Sequence, residues 1–472
     1  MKARAALCAA LIAAAAASFA ARMAAELSGA CLATIDLYYL LAGSLEPRWR
    51  SGAGAPVFRG GLGAEVALAA PWAGFSAARW GAVLLSVHAV NAALVFAFAR
   101  RAGLDRRWAA AAALLFCAVP GLADSAFRPS NITELLLLTA FLLVTVAYMS
   151  RARASSAAAR AAWLLVEAGA VVLGAGNKES FVVYPALLAA WELTLGRGLP
   201  RRAHLRAAAL RLSPHLLLFA YAAAASLPWI VDSPTHAFAL DFSPASVLRQ
   251  AARISSAVAM PWFENHDPLS PPWAALLAPA AFAVLARRGG PAARFAALFA
   301  LIVAAPVLVL GARFDAVYAY HVWPAFATAA ALALSSAGTG TTAALGAWLA
   351  LLAALPATRM AKACAFGPDA AAAAEALPCG SGTPEWTVPR ALAAEHLALW
   401  RSAAARSPHT PAGARRCLEE EGLDEGWRCA GGGLAEDALL REESAPVPVL
   451  RQLLAARCGR LGVRLRLAEA RP

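Results

Sequence analysis

Val87–Arg107 reads VHAVNAALVFAFARRAGLDRR, an apolar run that stops at a turn carrying Arg100, Arg101, Arg106 and Arg107 around a single acid, Asp105. The same punctuation recurs downstream in SRARASSAAAR, GRGLPRRAHLRAAALR and RRGGPAAR, each placed after an apolar block. Blocks of roughly 20 apolar residues separated by arginine-rich turns read as membrane-crossing helices whose basic ends are kept on the cytoplasmic side.

Composition agrees. The chain has 472 residues, 60% of them hydrophobic and 15% charged, with a mean hydropathy of +0.58. That is too apolar for a soluble protein of this length. The formal net charge of +13 does not point to nucleic acid, because the arginines cluster between apolar blocks instead of forming a stripe interleaved with aromatics. Abundant Ala, Leu, Gly, Pro and Arg with few Lys fits the codon bias of a GC-rich bacterial genome, so the expected location is the bacterial inner (plasma) membrane.

Working outward from the first turn, alternation of basic and non-basic loops predicts about 11 spans with Met1 in the cytoplasm. They fall at about 5–25, 80–99, 108–120, 132–149, 161–176, 181–195, 213–231, 272–286, 295–311, 322–338 and 341–358. MKARAALCAALIAAAAASFA also fits a cleaved secretory signal, but cleavage would put the arginine turns on the outer face. Long outer loops are expected near 26–78 and 232–271, roughly. Within the second, DFSPASVLRQAARISSAVAMPW carries a helix-cap signal and an amphipathic pattern, and is expected to lie along the membrane surface.

The chain is thus read as an all-α polytopic membrane protein in two parts: a membrane domain over 1–361 and a small extracytoplasmic appendage over 362–472. The appendage has no long apolar run and holds Cys364, Cys379, Cys417, Cys429 and Cys458, five of the eight cysteines. Outside the cell these permit up to two disulfides, while their spacing is not that of a zinc site.

Polar residues that packing does not readily explain gather near the expected outer loops. TIDLYYLLAG (Thr34–Gly43) holds Asp36 beside Tyr38 and Tyr39, a carboxylate near the membrane surface suited to act as a base toward a hydroxyl, or as a helix cap. His88 and Asn91 stand one helical turn apart inside a span, where polar side chains usually join helices. Lys178 and Glu179 in GNKES read as an outer-face pair, equally a structural ion pair holding two span ends. Glu167 is an acid inside a span, which marks a lipid-head pocket or a span shifted toward the interface.

From Thr34 to Leu195 the sequence resembles the bacterial membrane glycosyltransferases of the GT-C superfamily, the group that includes protein O-mannosyltransferases. Asp36 stands where those proteins carry an acidic pair soon after the first span, with Ile35 in place of the second acid. VFRGG keeps Phe58 and Arg59 at the position of a Tyr-Arg-Pro, without the proline. VHAVN supplies His88 and Asn91, and LLFCAVPGLADSAF matches a His-Pro and acid segment through Pro120 and Asp124, with Val119 where the His would be. GNKESFVVYPALL resembles a Ser-Lys-Glu signature through Lys178 and Glu179, and the likeness continues loosely in ARFDAVYAYHVWPAF. Each motif is weak alone; their order and spacing make the set specific.

The resemblance implies a GT-C-like fold and transfer of a hexose-type sugar from a polyprenyl-phosphate carrier to an acceptor on the outer face, with inversion at the anomeric carbon. Asp36 would be the base. Arg59, Arg128, Lys178 and Arg313, all outside in this topology, would meet the developing phosphate charge, though each also fits a snorkelling span-end cation. Asp124 would position the acceptor, or bind a divalent cation together with Asp36; two carboxylates do not define a metal site, and the cofactor is left open. His88, Asn91 and Glu179 would support the site. Expected partners are the polyprenyl-phosphate sugar, membrane lipid and a protein, lipid or polysaccharide acceptor. The competing readings are a transporter or flippase for an envelope substrate, and a degenerate GT-C scaffold that has lost activity with Ile35 and Val119. No half-to-half repeat of the transporter kind is visible.

Overall fold

A computed structural model describes residues 77–117, 132–196, 201–231, 240–259, 290–309 and 316–336, isolated helical positions at 69, 280, 283, 284 and 287, and four short strands. The strands are β1 (Leu32–Ala33), β2 (Cys364–Phe366), β3 (Glu385–Val388) and β4 (Arg464–Leu467). β1 pairs antiparallel with β2, Leu32 opposite Phe366, and β3 pairs in parallel with β4, Glu385 opposite Arg464. The expected first and eleventh spans, most of the eighth, and the cysteines of the appendage other than Cys364 lie outside the described residues.

Almost everything else described is helical. The helices are α1 (Ala77–Ala102), α2 (Arg106–Cys117), α3 (Ile132–Arg153), α4 (Ala157–Asn177), α5 (Tyr184–Thr194), α6 (Arg201–Val231), α7 (Pro244–Ala259), α8 (Gly290–Leu308) and α9 (Trp323–Ser336). Two 3-10 turns, Glu179–Val183 and Ala316–His321, lead into α5 and α9. Among the described residues, four helices are long and apolar enough to cross a membrane: Arg79–Ala102, Ile132–Arg153, Ala157–Asn177 and Gly290–Leu308. The chain is a multi-pass membrane protein.

The basic turn that opened the reading is a helix stop followed at once by a helix start. Gly103 takes φ 107, a left-handed conformation that glycine adopts without Cβ strain, and Leu104 N donates back to Ala99 O at 3.1 Å. Together these close α1. Asp105 Oδ1 then accepts from Arg107 N at 2.9 Å and Trp108 N at 3.0 Å, which caps α2.

α3 is the central helix. It is apolar on every face and largely buried, as expected of a helix with neighbours all round. α1 and α4 lie against it, α2 packs on α1 and α9, and α8 packs on α5, α7 and α9. Aromatic rings fill the seams, with Phe98 of α1 5.4 Å from Phe295 and 5.1 Å from Phe299 of α8, centroid to centroid. α4 and α6 turn Leu165, Val172, Leu210, Leu217 and Tyr221 outward, the inverse of a soluble helix and suited to lipid.

The sixth span falls where expected, as the apolar stretch Ser180–Thr194; the chain enters it through a 3-10 turn and Pro185 sits at the start of α5. That turn folds back closely enough for an added Cβ at Gly174 to run into the Phe181 ring. Phe181 in turn stacks on Tyr184 with centroids 4.7 Å apart. α6 starts at Arg201 and runs 31 residues, so most of the expected cytoplasmic turn is helix; its Arg, Leu and Ala are strong helix formers. In the surface segment the described helix runs Pro244–Ala259, with Ser243 Oγ accepting from Ser246 N at 3.3 Å and Pro244 in the first turn.

Candidate functional site

Arg153 Nη1 donates to Arg101 O at 2.9 Å, which brings the basic end of α3 to the basic end of α1. At the opposite end of α3, about 30 Å away at 1.5 Å per residue, the first turn meets the end of α4 and the 3-10 turn Ala316–His321. Lys178, His88 and Asn91 are found at or below that opposite end. Asp36, Arg59, Asp124, Arg128 and Arg313, together with the side chain of Glu179, lie outside the described residues.

Lys178 is the C-cap of α4 with extended backbone, φ −154 and ψ 143, and its N–H closes the helix on Gly174 O. Its ammonium pairs with Glu134 Oε1 and lies 4.9 Å above the ring of Tyr318. Both favour a cation. Asn177 Nδ2 donates to Thr133 O at 2.5 Å, tying the same corner. His321 reaches Glu134 from the other side, its Nε2 3.1 Å from the Glu134 carbonyl oxygen and 3.4 Å from Oε2. The latter contact is not aligned as a hydrogen bond, and Oε2 is a buried oxygen without a hydrogen-bond partner.

Behind this corner, one turn into the bundle, His88 and Asn91 join α1 to α3. Asn91 Nδ2 donates to Leu135 O at 2.9 Å and to the Tyr320 hydroxyl at 3.0 Å. Thr139 Oγ1 stands 2.7 Å from Asn91 Oδ1. The Tyr320 oxygen, already accepting from Asn91, is 3.0 Å from His88 Nδ1, so its own proton is available to that nitrogen. The side chains of this pair are buried, and they bind helices to each other.

A second polar cluster occupies the arginine end. Glu167, 1% exposed in α4, accepts a two-pronged grip from Arg151, Nε to Oε2 at 2.7 Å and Nη2 to Oε1 at 3.0 Å. His215 Nε2 lies 2.6 Å from the same carboxylate. Glu192 of α5 is held by Arg211 at 2.7 and 2.8 Å and by the Tyr148 hydroxyl at 2.7 Å. His204 Nε2 sits 3.1 Å from the Glu192 carbonyl oxygen. α3, α4, α5 and α6 are thereby linked through ions. Among the described residues no group of three or more His, Cys, Asp or Glu could hold a metal ion. Asp36 and Asp124, the pair considered for a divalent cation, are not among them.

With this geometry in place, the chain can be set beside known proteins. Its fold is similar to a solved structure described as ArnT from Cupriavidus metallidurans in the apo state, at 16% identity and a TM-score of 0.47, covering 93% of this chain and 75% of that one. It is similar also to ArnT from the same organism bound to undecaprenyl phosphate, at 15% identity and a TM-score of 0.46, covering 94% and 76%. Both likenesses are distant, and neither assigns a substrate to this chain. No protein-family model matches the chain, and no curated protein matches it in sequence.

Glu134, His321 and Tyr320 carry the Lys178 end yet were not singled out from sequence. Glu134 looks like an ordinary first-turn acid placed for the helix dipole. Glu192, His204, Arg211 and His215 were likewise missed, while Glu167 was singled out and is now seen paired to Arg151. Acids and histidines inside apolar blocks were the available signal.

Proposed function

We propose that the chain is an inverting glycosyltransferase of the GT-C kind, moving a sugar from a polyprenyl-phosphate donor to a hydroxyl acceptor at the outer face of the bacterial inner membrane. Asp36 takes the acceptor proton as the hydroxyl oxygen attacks the anomeric carbon. The bond from that carbon to the phosphate oxygen breaks, its electron pair leaves with the polyprenyl phosphate, and the sugar configuration inverts. Lys178, with Arg59, Arg128 and Arg313, stabilises the departing phosphate. Asp124 orients the acceptor. About 11 spans, a cytoplasmic N-terminus and an extracytoplasmic appendage complete the topology.

One observation carries this reading beyond the ordered motifs. Lys178 is a cation seated at the end of α3 away from the Arg101–Arg153 junction, and arginine-rich turns mark the cytoplasmic side. A lysine ammonium at the outer membrane surface is where a lipid phosphate would be met. The test is label leaving radiolabelled polyprenyl-phosphate sugars in membranes containing the wild type or Asp36→Asn at equal protein level, with cell-envelope extract supplied as acceptor. Turnover by wild type alone supports the reading.

A proton-coupled transporter is the second reading, favoured by two acids, Glu167 and Glu192, buried inside the bundle beside His215 and His204. Intramembrane acids with such neighbours mark transport paths in other proteins. Substrate movement across sealed vesicles without donor turnover would favour it.

A further inference from the structure

Glu134 is the acid that the proposed phosphate site does not use. Its side chain is 92% buried, one oxygen rests on the Lys178 ammonium, and the other is buried without a hydrogen bond. His321 Nε2, nearest to that second oxygen at 3.4 Å, is positioned at 3.1 Å from the Glu134 carbonyl oxygen. The charge of Glu134 is therefore balanced chiefly by Lys178. An anion that approaches Lys178 meets an ammonium already paired with a carboxylate. To draw the ammonium toward itself, it must also leave a buried carboxylate undercompensated, which low local polarity makes costly.

We infer that Glu134 is a positioning residue that weakens the hold of Lys178 on a lipid phosphate, so that the carrier is released after the sugar has gone. The inference rests on the reading of Lys178 as a phosphate-binding cation. A transferase of this kind ends each cycle with a product, polyprenyl phosphate, more highly charged at the phosphate than its donor. A fully available cation would retain that product. The Glu134–Lys178 pair limits this by making every phosphate compete with a buried carboxylate, while the ammonium also rests over the Tyr318 ring.

The experiment measures binding of a polyprenyl phosphate, without sugar, to the purified full chain in detergent, and separately the kcat and KM for donor turnover. Glu134→Gln keeps shape and an acceptor oxygen for Lys178 while removing the charge. It should bind polyprenyl phosphate of the order of tenfold more tightly, the scale of one unit charge at a partly buried site. Its KM should fall and its kcat fall with it, as release slows. Glu134→Asp, which restores the charge, should return both toward wild type. The double variant Lys178→Met with Glu134→Gln, which leaves no buried charge unpaired, should lose the tighter binding.

A purely structural ion pair predicts the reverse, with Glu134→Gln of lower thermal stability and equal or weaker binding; that result overturns the inference. So does tighter binding that persists in the double variant, or a wild type that binds no polyprenyl phosphate. If binding responds as described while no sugar donor is turned over, the effect of Glu134 on phosphate binding stands, while the transferase reading and the release step built on it fail.

Discussion

The two ends of α3 both bury acids, and they bury them differently. At the arginine end, Glu167 and Glu192 are each gripped at both oxygens by a guanidinium, with Tyr148, His204 and His215 filling the remaining space. At the other end, Glu134 has a single ammonium on one oxygen and no hydrogen bond on the second. A saturated buried ion pair fixes four helices in register and leaves little for a ligand to take up. An unsaturated one is costly in the resting protein and cheaper to rearrange, which is the property expected where a charged ligand comes and goes. On the proposed function, the arginine end is the scaffold and the Lys178 end is where the chemistry would take place.

Breaking the saturated end should have the largest effect. Glu192→Ala strands Arg211 and the Tyr148 hydroxyl, and is expected to cost about 3–5 kcal/mol of stability, read as a lower melting temperature in detergent. Replacing both members of the other pair, Arg151→Leu with Glu167→Leu, should cost far less than either alone, since no charge is left unpaired. If the double variant is as unstable as the singles, these pairs do more than compensate each other.

Smaller changes sharpen the contrast. Asn91→Leu removes donors from Leu135 O and the Tyr320 hydroxyl, and should cost about 1–3 kcal/mol without altering the arginine end. Gly174→Ala forces the Phe181 ring aside and should cost about 1–3 kcal/mol, loosening the corner that seats Lys178. Amide exchange in the first turn of α5 would report it.

The smallest expected effect lies on the surface helix. Asp241 Oδ1 accepts from Ser243 N at 2.9 Å, and that backbone hydrogen bond holds the Asp241 carboxyl below the usual carboxylate range. A depressed folded value means the stabilisation is complete above the unfolded pKa and is lost as pH falls through the folded one. Fraying of the first turn of α7 should therefore increase only on acidification below the ordinary aspartate range. Asp241→Asn should abolish that pH dependence.

The legible features were those written in local pattern. Arg100–Arg107 announced a helix end, a turn and a helix start, and α7 followed from its cap signal and amphipathic spacing. Lys178 was legible through GNKES. Its partner was not, because Glu134 and Lys178 are 44 positions apart and meet only when α3 lies against α4. The His88–Tyr320 contact spans 232 positions, beyond the reach of any periodicity. Glu192 was passed over because α5 looked like a plain apolar span; the early start of α6 at Arg201 brings Arg211 beside it. Helices report their own faces in sequence, whereas the pairing of charges between helices depends on which faces meet.

The central claim is that a lipid-linked sugar is the substrate and that an outer-loop acid removes the acceptor proton. Membranes with equal amounts of wild type and Asp36→Asn, given a panel of radiolabelled polyprenyl-phosphate sugars and cell-envelope extract, test it directly. The account predicts that one donor loses its label to the extract with the wild type and at least a hundredfold more slowly with Asp36→Asn, on the scale of a lost general base. Equal rates would contradict the role of Asp36, and no turnover of any donor by wild type would contradict the transferase itself.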